Sequence, residues 1–249
     1  MDEQSIEHEP EVKMPETPTR STTLTIPIAI IIAGALVAGA IYFTSTKRVN
    51  SLAAAPGAPS QPQTQTADIS KVQLTGRPFI GNPNARITVA YWYDYQCPFC
   101  KQNEETAMPQ LIKDYVDTGK AKIVFKDYQF LGPDSQTAGL AEHAVWEVAP
   151  DKFYQWHKAM YNKQDRENSG WGKKSDILTL TKSLGIDSAK VDQLMTSKAT
   201  EYQKMMDDDK AEGTAFGVSG TPSFIIGKQL LIGAQPYPAI KQLIDLVQK

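Results

Sequence analysis

The sequence is poor in the side chains that build disulfide networks, zinc sites and nucleic-acid surfaces. Its 249 residues include two cysteines and three histidines, and 26 lysine and arginine residues nearly balance 28 aspartate and glutamate residues. The net charge of −2 gives no basic field for nucleic acid, so no nucleic-acid partner is predicted. Two cysteines cannot form a disulfide framework. With His8 in a polar tail they cannot complete a zinc-ribbon ligand set either, so no metal site is predicted.

A long apolar run lies near the start of the chain. Residues 24–43 are predominantly apolar, and no charged residue occurs between Arg20 and Lys47. Twenty helical residues extend about 30 Å, which is the thickness of a bilayer core. We therefore predict a single transmembrane helix over residues 21–46 that holds the protein in the membrane through residues 24–43.

The flanks of this run leave two questions open. A cleaved signal peptide, with release into the cell envelope, is the alternative, but such peptides have a shorter apolar region and a basic start. The positive-inside rule gives a tie, because Lys13 and Arg20 precede the run and Lys47 and Arg48 follow it. Charge alone does not predict which side of the membrane the C-terminal part occupies.

The segments on either side of the run have biased compositions. Residues 1–20 combine acidic residues with proline, which predicts a disordered, solvated tail. Residues 47–68 are dominated by Pro, Gln, Thr and Ala and contain no aromatic residue, which predicts a flexible linker. The folded part is therefore predicted to span residues 69–249.

The folded part has the pattern of an α/β protein. β-Branched and aromatic residues predict strands at 87–93 and 121–128, with a helix from residue 98 to about residue 117 between them. A long helical stretch occupies residues 133–214. Two further strands and a closing helix are predicted at 223–226, 229–232 and 236–247.

The two cysteines occupy the turn between the first strand and its helix. Cys97-Pro98-Phe99-Cys100 places two thiols at the start of a helix, where they can close into a disulfide and reopen. Unpaired N–H groups and the helix dipole favour the thiolate of Cys97, and Pro98 suits a position whose N–H has no helical acceptor. We predict that Cys97 forms a mixed disulfide with a substrate protein and that Cys100 resolves it.

No cofactor beyond this redox-active pair is predicted. Phe99 carries no charge, so we expect it to modulate the site through apolar contact and through the geometry of the pair. A structural disulfide, or two buried thiols, is the alternative interpretation of the motif. The strand–turn–helix context favours the redox interpretation.

A second loop precedes the strand at 223–226. Gly220-Thr221-Pro222 puts a proline at the start of a strand, where it removes a hydrogen-bond donor from the sheet. A cis Thr221–Pro222 bond would turn the chain sharply and present the Thr221 backbone to an extended substrate. A trans proline in an ordinary turn fits the same residues.

Predictions also follow for Asp94, for two histidines and for a run of three aspartates. Asp94, shortly before Cys97, is predicted either to relay protons or merely to end the strand. The two histidines of the helical stretch, His143 and His157, are expected on helix faces. Asp207, Asp208 and Asp209 are expected to form a solvated face.

Together these motifs resemble the DsbA-like branch of the thioredoxin superfamily. The resemblance covers roughly residues 76–249. It includes Asp94-Tyr95-Gln96 before the cysteine motif and the Gly220-Thr221-Pro222 loop. Further matching segments are Pro78-Phe79-Ile80-Gly81-Asn82-Pro83-Asn84-Ala85, Phe153-Tyr154-Gln155-Trp156-His157 and Gly233-Ala234-Gln235-Pro236.

The resemblance implies a thioredoxin fold with an inserted all-helical domain, here preceded by the predicted transmembrane helix. It implies that Cys97 is the nucleophile, that Cys100 is the resolving thiol and that Pro222 is a cis-proline facing them. It also implies action outside the cytoplasmic membrane on unfolded or extended proteins, with a membrane or soluble redox partner that recycles the pair. Under this resemblance the C-terminal domain faces outward, where disulfides persist.

Two departures leave the direction of the redox reaction open. The best-known oxidase of the branch has a histidine at the position of Phe99, and that histidine helps to make its cysteine pair strongly oxidising. The threonine before Pro222, Thr221, resembles the residue found there in isomerase relatives more than the residue of that oxidase. The leading hypothesis is a thiol–disulfide oxidoreductase that oxidises substrate dithiols. The alternatives are a reductase or isomerase on the same scaffold, and a non-catalytic envelope chaperone that binds polypeptide.

Overall fold

The structure is a computed structural model that describes residues 64–248. The predicted tail over residues 1–20, the predicted transmembrane helix over residues 21–46 and most of the predicted linker lie outside the described residues. Among residues 64–248, no helix combines the length and the apolar character needed to cross a bilayer. The membrane anchor therefore stays a prediction.

Six strands form a single mixed sheet. They are β1 (Thr64–Thr66), β2 (Phe79–Gly81), β3 (Ile87–Tyr93), β4 (Ala121–Asp127), β5 (Ser223–Ile226) and β6 (Gln229–Ile232). Their order across the sheet is β1-β6-β5-β3-β4-β2, and β3 and β4 form its parallel pair. Nearly every side chain of β3 and β4 is buried, as expected of central strands covered on both faces.

The helices pack around this sheet. They are α1 (Pro98–Leu111), α2 (Pro133–Val148), α3 (Phe153–Lys163), α4 (Lys174–Ser183), α5 (Ser188–Ser197), α6 (Ala199–Ala215) and α7 (Tyr237–Val247). Helices α2 to α6 all fall between β4 and β5, while α1 packs against α7. An α/β fold with a helical domain inserted between its second and third core strands is thereby confirmed.

The segment predicted as one helix up to about residue 117 is two pieces. Helix α1 ends at Leu111, and a wider π-helical turn continues over Ile112–Val116. Pro109 lies inside α1 and has no N–H to donate to the preceding turn. The regular hydrogen-bond ladder is interrupted there, and the wider turn follows directly.

Two short edge strands extend the predicted sheet. Strand β1 lies within the segment predicted as linker, yet it pairs antiparallel with β6, so that Thr64 opposes Leu231 and Thr66 opposes Gln229. Strand β2 pairs antiparallel with β4 at the opposite edge. In the described part of the chain, ordered pairing therefore begins before residue 69.

The two faces of the sheet carry separate apolar cores, because successive strand residues point to opposite faces. Tyr91 and Tyr93 of β3 belong to the larger core, which contains both cysteines and the inner faces of the helical domain. Trp92 belongs to the smaller core on the other face. A Cβ atom added to Gly213 of α6 would lie 2.7 Å from Trp92 Nε1, so this close approach of helix and strand requires glycine.

Asp209 corrects the expectation of a solvated acidic face on α6. Asp207 and Asp208 are exposed, but Asp209 is buried and its carboxylate pairs with Arg77 Nε at 2.7 Å and Lys126 Nζ at 2.5 Å. The helical period turns one aspartate of three adjacent ones toward the sheet. The buried cations then keep the charge paired.

Candidate redox site

The cysteine motif lies where β3 gives way to α1. Cys97 is the N-cap residue of α1, Pro98 stands at its first helical position, and both thiols are free. The backbone N–H groups of Cys100 and Lys101 donate to the carbonyl oxygen of Cys97 at 3.1 and 3.2 Å. The cysteine pair thus lies at a strand-to-helix turn, as predicted, and Cys97 is at the positive end of the helix.

The two sulfurs have opposite electrostatic environments. A hydrogen bond from Cys100 contributes most to lowering the pKa of Cys97 from its ordinary 9.0 to about 6, against the opposing effect of burial. Thr221 and the backbone N–H groups at the start of α1 contribute further. Burial, followed by the interaction with Cys97, raises the pKa of Cys100. Near neutral pH the site therefore holds one thiolate and one thiol.

The Gly220-Thr221-Pro222 loop faces the reactive sulfur. The Cys97 thiol donates to the Thr221 carbonyl oxygen at 3.4 Å, across 124 residues of sequence. The Thr221–Pro222 bond is cis, so of the two geometries considered for this loop the structure has the cis one. The Thr221 hydroxyl is buried and has no hydrogen-bond partner among the described residues, so it can donate to a thiolate beside it.

The Asp94 carboxylate forms hydrogen bonds within the turn that carries the cysteines and to the loop that follows β4. Its carboxylate accepts the N–H of Gln96 at 2.8 Å, the N–H of Phe130 at 2.7 Å and the N–H of Leu131 at 3.0 Å. The hydroxyl of Ser135 donates to it at 2.5 Å. Burial raises the pKa of Asp94, although these hydrogen bonds act in the opposite direction. The contacts are those of a group that fixes the strand end against the next loop and α2.

Exposed apolar residues border the site. Phe99 is 58% exposed and Phe130 is 44% exposed, while the adjoining Cys97 is buried. An open cavity of about 600 Å³ lies beside Pro98 and is bordered by Gln96 and residues 165–169. The exposed ring of Phe99 therefore lies on the outward side of the helix start, next to the buried Cys97.

The surroundings of Cys100 include a polar cluster that the sequence did not reveal. Glu104, one helical turn beyond Cys100 on α1, is buried and accepts the Tyr154 hydroxyl at 3.0 Å. His157 Nε2 lies 3.3 Å from the same carboxylate, and His157 Nδ1 lies 2.9 Å from the Tyr95 hydroxyl. Glu104 follows Cys100 by four residues, and this helical spacing was the signal that could have placed a carboxylate beside the cysteine pair.

Both histidines lie on the inserted helices, as predicted, and the structure shows that they occupy inward faces. His157 is fully buried among aromatic rings, and His143 is buried with its Nε2 atom 2.8 Å from Asp127. Both belong to inward-facing positions of amphipathic helices, which a spacing pattern without a defined core side does not distinguish. Among residues 64–248, no grouping of three or more histidine, cysteine or carboxylate side chains is arranged to hold a metal ion.

A model of the family described as Thioredoxin matches residues 73–246. The chain belongs to the thioredoxin family. Disulfide bond formation protein D of Bacillus subtilis is a relative of this thioredoxin-family chain, 27% identical over 175 residues that make up 69% of the chain and 77% of the relative.

Solved structures place the chain in the DsbA-like part of the family. Oxidised BdbD from Bacillus subtilis superposes with a TM-score of 0.65 at 26% identity, covering 70% of this chain and 94% of that one. The thiol-disulfide exchange protein alpha-DsbA2 from Wolbachia pipientis gives a TM-score of 0.61 at 26% identity, covering 70% and 88%. This thioredoxin-family chain is a DsbA-like protein disulfide oxidoreductase.

Proposed function

We propose that the protein oxidises pairs of thiols in other proteins by donating a Cys97–Cys100 disulfide. The observation that carries this proposal is the contrast between the two sulfurs, with a lowered pKa at Cys97 and a raised pKa at Cys100. A stabilised thiolate favours the reduced form of the pair, and a pair with a stable reduced form is an oxidant. The name of the Bacillus relative, disulfide bond formation protein D, supports the same direction.

The exchange needs only sulfur chemistry. A substrate thiolate attacks Cys97 Sγ, the Cys97–Cys100 bond breaks, and Cys100 leaves with the electron pair and takes up a proton. A second substrate thiolate attacks the substrate sulfur of the mixed disulfide, and Cys97 leaves as a thiolate. The substrate loses two electrons and gains a disulfide, while the pair gains both electrons. No metal or organic cofactor enters the proposal, and a membrane or soluble redox partner reoxidises the pair.

Unfolded or extended proteins are the proposed substrates. The Thr221 backbone beside Cys97 offers hydrogen bonds to an extended strand, and Thr221 and Pro222 are the proposed substrate-binding residues. Exposed Phe99 supplies apolar contact next to the reacting sulfur, while Pro98 and Asp94 hold the helix start and the turn.

The proposed place of action is outside the cytoplasmic membrane, with residues 21–46 as a single-pass anchor. The outward orientation rests on the likeness to DsbA-like proteins and on the persistence of disulfides in oxidising compartments. After treatment of intact cells with a membrane-impermeant reductant, a membrane-impermeant thiol reagent should label Cys97, and the labelled chain should sediment with membranes at its full length. A shorter, soluble labelled chain would instead establish cleavage and release.

Equilibration of the full chain with glutathione buffers tests the reaction and its direction together. We expect a reversible Cys97–Cys100 disulfide whose reduction potential lies in the range of oxidising thioredoxin-fold proteins, and rapid oxidation of a reduced, unfolded two-cysteine protein. Cys97→Ser should abolish the reaction, and Cys100→Ser should accumulate the mixed disulfide. Gln102→Ala, an exposed residue of the same helix, is the control and should leave the rate unchanged.

The measured reduction potential and the polypeptide binding of the cysteine-free variant distinguish the alternative functions. A potential near that of cytosolic thioredoxins would assign the pair to reduction or isomerisation and contradict the proposal. Polypeptide binding that survives in the double Cys97→Ser, Cys100→Ser variant, with no redox exchange in the parent, would establish a chaperone instead.

A further inference from the structure

A side chain of the helical domain reaches the backbone of the redox turn. Gln164 caps the C-terminus of α3, and its side-chain Nε2 donates to the Tyr95 carbonyl oxygen at 2.7 Å and to the Cys97 carbonyl oxygen at 3.1 Å. These two carbonyl groups stand on either side of the turn that presents the reactive sulfur. The donor comes from 67 residues further along the chain than Cys97.

A residue of α1 also forms a hydrogen bond with the backbone of Gln164. Lys101, in the first turn of α1, extends its ammonium group to the Gln164 carbonyl oxygen at 3.2 Å. The side chain of Gln164 thus holds the turn before α1, and a side chain of α1 holds the backbone of Gln164. Three hydrogen bonds therefore join the start of α1 and the turn before it to the end of α3, and they fix the relative position of these two segments.

A neighbouring pair of contacts continues the same attachment. The N–H of Asn168 donates to the Gln96 side-chain oxygen at 3.0 Å, and the Asn168 side chain donates to the Leu131 carbonyl oxygen at 2.6 Å. Asn168 has a φ of 51°, in the left-handed region that asparagine tolerates better than most residues. The loop after α3 is therefore fastened to the cysteine turn at two points, Gln164 and Asn168.

We propose that Gln164 is a positioning residue that ties the helical domain to the Cys97 turn and thereby sets the balance between the reduced and the disulfide form of the pair. The inference rests on the proposed redox function. The N–H dipoles of the Gln164 side chain point at the Tyr95 carbonyl oxygen and at the Cys97 carbonyl oxygen, which also accepts from Cys100 and Lys101, and they reduce the negative charge close to a Cys97 thiolate. The thiolate charge exists in the reduced form and not in the disulfide, so the contact favours the reduced form.

The test compares full-length variants in glutathione buffers. Gln164→Met keeps the length of the side chain without a donor, and Gln164→Glu replaces the donor by a carboxylate that faces the two carbonyl groups. We expect the equilibrium constant with glutathione to shift toward the disulfide by about 2- to 10-fold for Gln164→Met, the usual worth of one hydrogen bond. Gln164→Glu should shift it further in the same direction. Gln102→Met, an exposed glutamine on α1, is the matched control and should not shift it.

Thermal unfolding of both redox forms distinguishes positioning from ordinary stabilisation. A merely structural Gln164 would lower the melting temperature of the reduced and disulfide forms equally and leave the glutathione equilibrium unchanged, which would overturn the inference. A shift toward the reduced form would overturn it as well. Gln164 is half-buried at the surface, and Gln164→Ala serves as a second variant should Gln164→Met fail to fold.

Failure of this inference differs visibly from failure of the proposed function. If the parent chain forms no reversible Cys97–Cys100 disulfide, the proposed function falls and the inference falls with it. If the parent cycles normally and both Gln164 variants match it, the inference alone is wrong.

Discussion

Cys97 and Cys100 show how one helical turn separates two chemical states of the same side chain. The first sulfur meets the unpaired N–H groups at the start of α1, and the second is enclosed by the larger apolar core. The Cys100 side chain contributes most to lowering the pKa of Cys97, followed by Thr221 and the backbone N–H groups at the helix start, so the reactivity depends on the position of Cys97 one turn before Cys100.

The pH dependence of alkylation measures this difference. In the reduced protein we expect the rate of Cys97 modification by iodoacetamide to rise with pH and reach half its maximum near pH 6, because the thiolate is the reactive form. Cys100 should stay unreactive over the same range. A midpoint near the ordinary 9.0 would contradict the site's electrostatics.

The same shift links pH to stability. The folded pKa of Cys97 lies below its unfolded value, so ionisation of Cys97 stabilises the reduced fold fully above about pH 9. This contribution decreases as the pH falls and is lost once the pH passes below about 6. Urea unfolding of the reduced Cys97→Ser variant should lack this component.

Asp94 gives a second prediction, since its carboxylate accepts three backbone N–H groups and the Ser135 hydroxyl. Asp94→Ala leaves buried donors unpaired, and we expect it to lower the free energy of unfolding by about 2–4 kcal/mol in urea titrations. Asp151→Ala, at an exposed aspartate, should change it by no more than about 0.5 kcal/mol. Unchanged stability with slowed thiol exchange would instead support the proton-relay interpretation of Asp94.

At the scale of elements, the central strands were readable from the sequence. Strand β3 carries β-branched and aromatic residues in a continuous run, and the described strand at 87–93 has the predicted bounds. Strand β1 was missed because Thr64-Gln65-Thr66 is polar and short. Its pairing depends on the free edge of β6, which no local pattern reports.

Truncation tests the contribution of β1. A domain beginning at residue 60 retains β1, whereas one beginning at residue 69 loses it together with the buried side chain of Ala67. We expect the shorter domain to unfold at a lower urea concentration, by about 1–3 kcal/mol, because strand pairing and apolar burial are lost together. Coincident unfolding curves would show that β1 adds nothing to the stability of the sheet.

At the scale of the whole molecule, a buried set of charges joins the sheet to the helical domain. Lys126 of β4 is fully buried and contacts Asp209 at 2.5 Å and Glu212 at 2.9 Å, both on α6. Arg77, ahead of β2, completes the set through Asp209. Because a charge left alone in this interior is costly, the relative position of α6 and the sheet is strongly specified.

Removal of one charge of this buried set should therefore lower the free energy of unfolding far more than removal of a surface charge on α6. We expect Lys126→Met to lower the free energy of unfolding by about 3–5 kcal/mol, with partial recovery on adding Asp209→Asn. Lys204 forms an exposed pair with Asp208, so Lys204→Met should cost no more than about 1 kcal/mol. Equal effects of the two lysine substitutions in urea titrations would contradict this account.

The candidate site was predictable where chemistry is encoded locally and not where it is assembled from distant parts. The spacing of Cys97 and Cys100 and the Thr221-Pro222 dipeptide carried their own signals. Gln164, which contacts the Cys97 carbonyl oxygen, had none, because a glutamine at a helix end is common on protein surfaces. Its contact depends on the packing of the inserted helices, which a single sequence does not specify.

Strand β1 also determines where the preceding chain joins the sheet. Thr64 opposes Leu231, and Leu231 pairs with Phe224, two residues after Pro222, so β1 begins at the end of the sheet that carries the Thr221–Pro222 loop. Residues added or removed before β1 therefore change the length of chain attached at the same end of the sheet as Cys97.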